Sequence, residues 1–371
     1  MQRVFLVPGF FGFSTIGKMQ YFEHVRAALQ TKLGDEAFTF HDVPTLPTAG
    51  LERRATRLAE VVLQHAEPGD DLHFVGHSTG GLDARLVTST AWTVPLAGWD
   101  AMVGQTRSVV SIASPHAGAP IATFFSTVQG EHWLRLISLL TLRVVRLGSV
   151  GTASLGGLMK AAVNLNALAG MDTGLLDSVW NDVLQDFDES RREELRDFFK
   201  EVWADRSLLA QLSPEGIREI APHIEERPSV RYASVVMQGA RPSSVPRLSD
   251  LRPSRLIYML LHRRAGADET LVRELSGHVD PVGRRALSDA LEAKVGEQDN
   301  DAMVPTLSQA HGELLHAGVG DHLDVIGYFD GGASNPEHVD WLRSQSGFDR
   351  AAFDRIWSKV AGWIDAASVA H

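Results

Sequence analysis

The chain contains no cysteine. That absence removes disulfides, cysteine nucleophiles and thiolate-ligated metals at once. It fits a reducing compartment without requiring one. Long apolar runs are missing too. Nothing reaches the roughly 20 residues of a membrane-spanning helix, and the nearest stretch, Trp133 to Leu147, is interrupted by Arg135, Arg143 and Arg146. No basic segment followed by an apolar run and a cleavage site precedes the first strand. The expected location is therefore the cytoplasm, unless a leader has been removed. Excess positive charge is lacking as well: the formal net charge is -11, which disfavours nucleic acid and anionic membranes as partners. No repeat or low-complexity tract is visible.

What is present has ordinary globular proportions. With 44% hydrophobic and 22% charged residues, 371 positions supply ample material for a large core. The length suits two domains, or one enlarged domain with an insertion. The informative stretch is Gly76-His77-Ser78-Thr79-Gly80-Gly81. It follows Asp71 to Val75, which reads as a short buried strand, and precedes Leu82 to Val87, which starts a helix. A Gly-x-Ser-x-Gly run between strand and helix is the nucleophile elbow of α/β-hydrolases. The turn is sharp enough to strain the serine backbone, and small residues at Gly76 and Gly80 let strand and helix approach. The Ser78 hydroxyl then rises above the carboxyl edge of the sheet, where N–H groups at the helix start face a developing anion.

Strands and helices alternate around this elbow. Arg3 to Val7, Phe38 to Val43, Ser108 to Ile112 and Val230 to Val236 read as strands. Tyr21 to Leu33 and Leu51 to Ala66 read as helices, the second with Leu51, Ala55, Leu58, Ala59, Val62 and Ala66 on one face. The alternation predicts a doubly wound, mostly parallel α/β sheet, here as a single domain over 1–371. From Ile121 to about Arg227 it stops. Leu175, Leu176, Val179, Trp180, Val183, Leu184 and Phe187 form one helical stripe, and Leu195, Phe198, Phe199, Val202 and Trp203 another. A helical insertion over 121–227, following a loop at the sheet's carboxyl edge, has the form of a lid; a packed cap that does not move fits equally well. Arg255 to Arg264 and Pro281 to Val295 predict further helices, the second broken early by Gly283. Phe353, Ile356, Trp357, Val360, Trp363 and Ile364 predict a last amphipathic helix.

Several motifs, taken in order, resemble the bacterial true lipases (triacylglycerol lipases) of the α/β-hydrolase fold. They are Val7-Pro8-Gly9-Phe10-Phe11-Gly12-Phe13, Gly76 to Gly81, Ser114 to Pro120, Leu212-Ser213-Pro214-Glu215-Gly216, Asn300-Asp301 and His322-Leu323-Asp324. The likeness covers most of the sheet-forming chain and is poor over 141–206 and 241–276. It implies Ser78 as nucleophile, Asp301 as acid and His322 as base, the chain order of this fold. Asp301 is preferred to Asp299 because it follows Asn300 and shortly precedes Val304. His311 and His316 stand outside the His-Leu-Asp motif, and His116 lies too close to the elbow strand, so it reads as a loop brace. The backbone N–H groups of Phe10 and Thr79 match the two oxyanion donors.

The chain departs from the family twice. It has Pro8-Gly9 where His-Gly is common in the first loop. Secreted members also often carry a disulfide and a calcium ion near the catalytic histidine. Here no disulfide is possible. Asp280 and Asp324 resemble the calcium carboxylates, but the glutamine expected shortly after Asp324 is absent, with Tyr328 at about that place. The expectation is accordingly no cofactor and no metal, Asp324 capping a helix or pairing with an arginine. Calcium held by two carboxylates, carbonyls and water is the alternative.

A serine hydroxyl is a poor nucleophile until a base takes its proton, and an imidazole titrating near neutrality can both accept and return it. The implied function is a carboxylic ester hydrolase, lipase or esterase, acting on hydrophobic acyl esters through an acyl-Ser78 intermediate. Acyltransferases, thioesterases, amidases and polyester depolymerases share that intermediate. A non-catalytic binding protein on the same fold is a rival of a different class. Epoxide hydrolases and dehalogenases need a carboxylate at the elbow, which Ser78 excludes. The expected partner is a small-molecule or lipid ester, with transient contact with lipid interfaces left open.

Overall fold

The apolar, β-branched runs form six strands: β1 (Gln2–Val7), β2 (Phe38–Asp42), β3 (Asp71–His77), β4 (Thr106–Ile112), β5 (Arg231–Gln238) and β6 (Glu313–Val319). All their pairings are parallel, in the spatial order β2-β1-β3-β4-β5-β6. The structure is a computed structural model. It describes residues 1–10, 15–16, 19–127, 204–243, 253–266, 277–332 and 340–369, with isolated positions between them.

Parallel strands are joined by crossovers that cover both faces, so successive residues point to opposite sides and both stay apolar. Val4 and Leu6 bury against α1 (Glu23–Leu33) and α10 (Arg350–Val369), while Phe5 and Val7 bury against α2 (Leu51–His65) and α3 (Thr79–Val87). All six residues of the predicted C-terminal stripe are buried on α10. Trp357 is fully covered, and its indole N–H donates to the Val325 carbonyl at 2.9 Å. A short α4 (Trp99–Val103) precedes β4.

Two elements differ from expectation. β6 has no counterpart in the sequence reading; it is one of the two edge strands and mostly half-buried, so its Glu-Leu-Leu-His-Ala-Gly-Val lacks a continuous apolar signal. Gly283 does not break α9 (Pro281–Ala290): it sits in the first turn and its N–H donates to the Asp280 cap at 2.6 Å. That helix stops short of Val295 because the chain turns left-handed at Glu292, φ 51°.

Of the 121–227 segment, α5 (Pro120–Phe125), α6 (Ser207–Gln211) and α7 (Pro214–Ile220) are described. The two apolar stripes predicted at 175–187 and 195–203 lie outside the described residues. Ile121, Phe125 and Leu209 bury with Ile257, Tyr258 and Leu261 of α8 (Pro253–Ala265) in a separate apolar cluster that Phe10 joins. Among the described residues no helix is long and apolar enough to cross a membrane.

Candidate active site

β3 runs into α3 with Ser78 alone between them, at φ 55° and ψ -127°. A positive φ on a non-glycine residue is strained and persists only where its surroundings dictate it. Here packing does so. A Cβ on Gly76 would lie 2.3 Å from the Gly80 carbonyl, and one on Gly80 would lie 2.0 Å from the Val7 carbonyl oxygen. Neither position accepts a side chain, as the elbow reading requires. The Ser78 N–H donates to the Ile112 carbonyl at 2.8 Å, which fixes the turn to β4. Ser78 shares an apolar slot with Phe10, Pro115, Ile121, Phe125, Leu209 and Met303. Thr79 opens α3, so its N–H is one of the first-turn donors without an intrahelical acceptor.

The first loop is gripped from below. Arg54 is wholly buried on the apolar stripe of α2 and forms an ion pair with the equally buried Asp83 of α3, Nη2 to Oδ2 at 2.6 Å. Its Nε lies 3.1 and 3.0 Å from the two carboxylate oxygens. The same Nη2 donates to the Pro8 carbonyl at 2.9 Å and lies 3.5 Å from that of Gly9. Burial pushes the Asp83 carboxyl above its ordinary range even though the Arg54 charge pulls the other way.

His322 and Asp301 meet as the motif order implied: His322 Nδ1 lies 2.8 Å from Asp301 Oδ2. Both residues are buried. Asp301 Oδ1 accepts the N–H groups of Met303 and Val304 at 2.9 and 2.7 Å, and Oδ2 also accepts Gln309 Nε2 at 3.1 Å. An ionised carboxylate only accepts, so Nδ1 of His322 carries the proton and Nε2 keeps the lone pair. The His322 N–H donates to the Asp301 carbonyl at 2.9 Å, and the His322 ring packs on that of His77 with centroids 4.7 Å apart. Ser78 directly follows His77 in the chain.

The rivals are occupied elsewhere. Asp299 pairs with Arg241 and accepts the Gly296 N–H. His311 pairs with Glu226, and His316 lies 3.5 Å from Lys359. His116 Nδ1 accepts from Arg85 at 3.0 Å, the bracing role expected of it.

The two carboxylates of the calcium alternative, Asp280 and Asp324, do not share a cluster. Asp280 is exposed and caps α9. Nor, among the described residues, does Asp324 pair with an arginine: its Oδ2 accepts the Asp321 N–H at 2.8 Å and the hydroxyls of Ser344 and Ser346. The acidic neighbours of Asp324 are Asp321 and Asp340, with one oxygen of each of the three within 4.8 Å of the others. Among the described residues, Asp321 Oδ2 and Asp340 Oδ1 are buried without a hydrogen-bond partner. Burial and mutual repulsion raise the Asp321 and Asp324 carboxyls, and burial lifts Asp340 to about 6. Three hard oxygen donors with two unsatisfied atoms fit a divalent cation such as Ca²⁺.

Tyr21, Arg54, His77 and Gln309 were not singled out by the sequence. Arg54 could have been. It lies three residues after Leu51 and four before Leu58, inside the apolar stripe, where a charge is expected to have a buried partner.

No protein-family model and no curated protein sequence matches the chain. Among solved structures it is similar to Staphylococcus hyicus lipase, with 15% identity, a TM-score of 0.52, and coverage of 100% of this chain and 96% of that one. It is similar to lipase 1 from Pelosinus fermentans at 16% identity and a TM-score of 0.53, covering 99% and 98% of the two chains. EstA from Clostridium botulinum gives 16% identity and a TM-score of 0.52, over 97% of this chain and 86% of that one. At such identities the likeness establishes the α/β-hydrolase fold.

Proposed function

We propose that the chain is a serine carboxylic ester hydrolase, with Ser78, His322 and Asp301 as catalytic residues and the Phe10 and Thr79 N–H groups as oxyanion donors. The observation that carries this reading is the 2.8 Å His322–Asp301 bond beside a serine held at φ 55° on a strand-to-helix turn. His322 Nε2 takes the Ser78 proton as Oγ attacks the acyl carbonyl. The oxyanion that forms meets the two backbone donors, worth roughly 3 kcal/mol each in comparable sites. His322 then protonates the departing alcohol, and Asp301 stabilises the imidazolium in between. Water repeats the sequence on the acyl-Ser78 ester and releases the acid. The apolar lining of the slot favours hydrophobic acyl groups, and two of the proteins of similar fold are lipases. The 121–227 insertion would roof that slot, as its described ends already wall it.

Asp321, Asp324 and Asp340 would hold a cation, whose charge would neutralise the acidic cluster next to the loop that carries His322. No step of the reaction runs through it.

Ser78→Ala tests the assignment. Turnover of p-nitrophenyl butyrate should vanish, with an unchanged circular dichroism spectrum, and a fluorophosphonate should label the wild type alone. Substantial esterase activity in the variant would end this reading.

A further inference from the structure

Beneath Ser78 runs a hydrogen-bond chain that the catalytic set does not use. The Gly9 N–H donates to the Tyr21 hydroxyl at 3.3 Å. Tyr21 Oη lies 2.6 Å from His77 Nδ1. His77 Nε2 lies 2.9 Å from the His322 carbonyl oxygen. His77 is fully covered and Tyr21 nearly so.

The end groups settle every proton in this chain. A carbonyl oxygen only accepts, so His77 Nε2 must carry hydrogen and donate to His322. Its Nδ1 then bears the lone pair, and the Tyr21 O–H donates to it. The phenol oxygen in turn receives the Gly9 N–H. For a neutral His77 no other direction satisfies both ends. Burial pushes His77 well below the ordinary histidine range and Tyr21 above that of a phenol, so both stay neutral.

What the chain connects gives it a role. Gly9 lies on the nucleophile: a Cβ there would be 2.5 Å from Ser78 Cβ. The next residue, Phe10, carries the proposed first oxyanion donor. The other end holds the backbone of the base, whose own N–H is tied to Asp301. The two loops share no covalent link nearer than the whole chain, and Pro8 has no polar side-chain atom to brace the first of them. A cation at His77, 4.7 Å from the His322 ring, would also oppose the imidazolium formed during turnover.

Resting on the reading of the site just given, we propose that Tyr21 and His77 are positioning residues that lock the oxyanion loop and the base-bearing loop to the elbow through a fixed, neutral proton arrangement. Misplacing reacting groups by about 1 Å costs on the order of 100-fold in rate. Tyr21→Phe should therefore lower kcat for p-nitrophenyl butyrate by about 10- to 100-fold with KM within about twofold. His77→Gln keeps a donor near the Nε2 position, and His77→Asn keeps an acceptor near the Nδ1 position. Each should retain more activity than His77→Ala. The double variant Tyr21→Phe/His77→Ala should lose little more than His77→Ala alone, because members of one chain do not add.

In the wild type, ¹⁵N NMR of labelled histidines should show His77 as the Nε2–H tautomer, unchanged from about pH 5 to pH 8. Wild-type kcat in Tyr21→Phe, or additive losses in the double variant, would overturn the proposal. So would a His77 that titrates in that range, and this measurement needs neither a folded variant nor turnover. A wild type that fails to react with a fluorophosphonate would count against the assignment of Ser78 instead, and the two failures are thus separable.

Discussion

Replacing Arg54 with Met removes a guanidinium and leaves Asp83 as an uncompensated carboxylate with no exposed surface. Breaking a buried pair from one side costs about 3–5 kcal/mol. Unfolding entropy is about 2.1 cal/mol/K per residue, so a chain of 371 residues unfolding as a unit gains about 0.8 kcal/mol/K, and Tm should fall by about 4–6 °C. Replacing both members, Arg54→Met with Asp83→Leu, is a different perturbation. It removes the desolvation cost of both charges together with their attraction. An apolar exchange of such pairs is often neutral or stabilising by about 1–4 kcal/mol, against about 1–3 kcal/mol for the Pro8 carbonyl left without its donor. The double variant should melt within a few degrees of the wild type. Its activity should nevertheless drop. No peptide bond among the described residues is cis, so a Gly9 carbonyl facing Arg54 turns the Phe10 N–H to the opposite side, as the proposed oxyanion role requires. Without Arg54 that direction is no longer held, and one oxyanion donor is worth about 10²–10³ in kcat. A drop of about 10- to 100-fold at unchanged KM is expected from calorimetry and steady-state kinetics on the same samples. A double variant with wild-type kcat would refute the positioning role. A single variant with wild-type Tm would refute the buried-charge argument.

Three further outcomes are expected. Asp301→Asn should fold, yet lose about 10⁴-fold in kcat, because an amide favours the wrong His322 tautomer; activity within tenfold would remove Asp301 from the site. Gly80→Ala forces a Cβ to 2.0 Å from the Val7 carbonyl oxygen, and should cost about 3 kcal/mol in urea melts, with a neutral result contradicting the tight elbow. The acidic cluster makes a pH prediction. Raised carboxyl pKa values mean that the folded state binds more protons than the unfolded one above about pH 4, so this contribution to stability is present at low pH and fades as pH rises through about 6 and beyond. In chelator, Tm should therefore be lowered by this cluster between pH 5 and pH 8, and millimolar Ca²⁺ should flatten the trend. Identical curves with and without Ca²⁺ would exclude a cation there.

The fold was legible because parallel strands buried on both faces must be apolar throughout. The elbow was legible because its glycines have no substitute. Asp301 and His322 were found by order and motif rather than by any local signal, and their 2.8 Å contact is a tertiary fact. β6 escaped because an edge strand needs only partial burial. Tyr21 escaped for another reason: it braces the first loop through the Gly9 N–H, and a backbone group has no letter in a sequence, whereas Arg54 left a signal as a charge inside an apolar stripe. The alternative in which Asp280 and Asp324 flank a calcium ion fails because Asp280 is taken up as a helix cap, while Asp340, the third carboxylate of the cluster, follows Asp324 closely in the chain with no motif to mark it.

The bond between His77 and the carbonyl of His322 spans 245 positions of sequence. During synthesis at about 5–20 residues per second, the strained serine leaves the ribosome roughly 12–50 s before His322, its proposed base, exists. Until then nothing activates it. With the proposed triad, competence for catalysis waits for a segment near the end of the chain, and recovery of activity on refolding reports the docking of that segment beside the elbow.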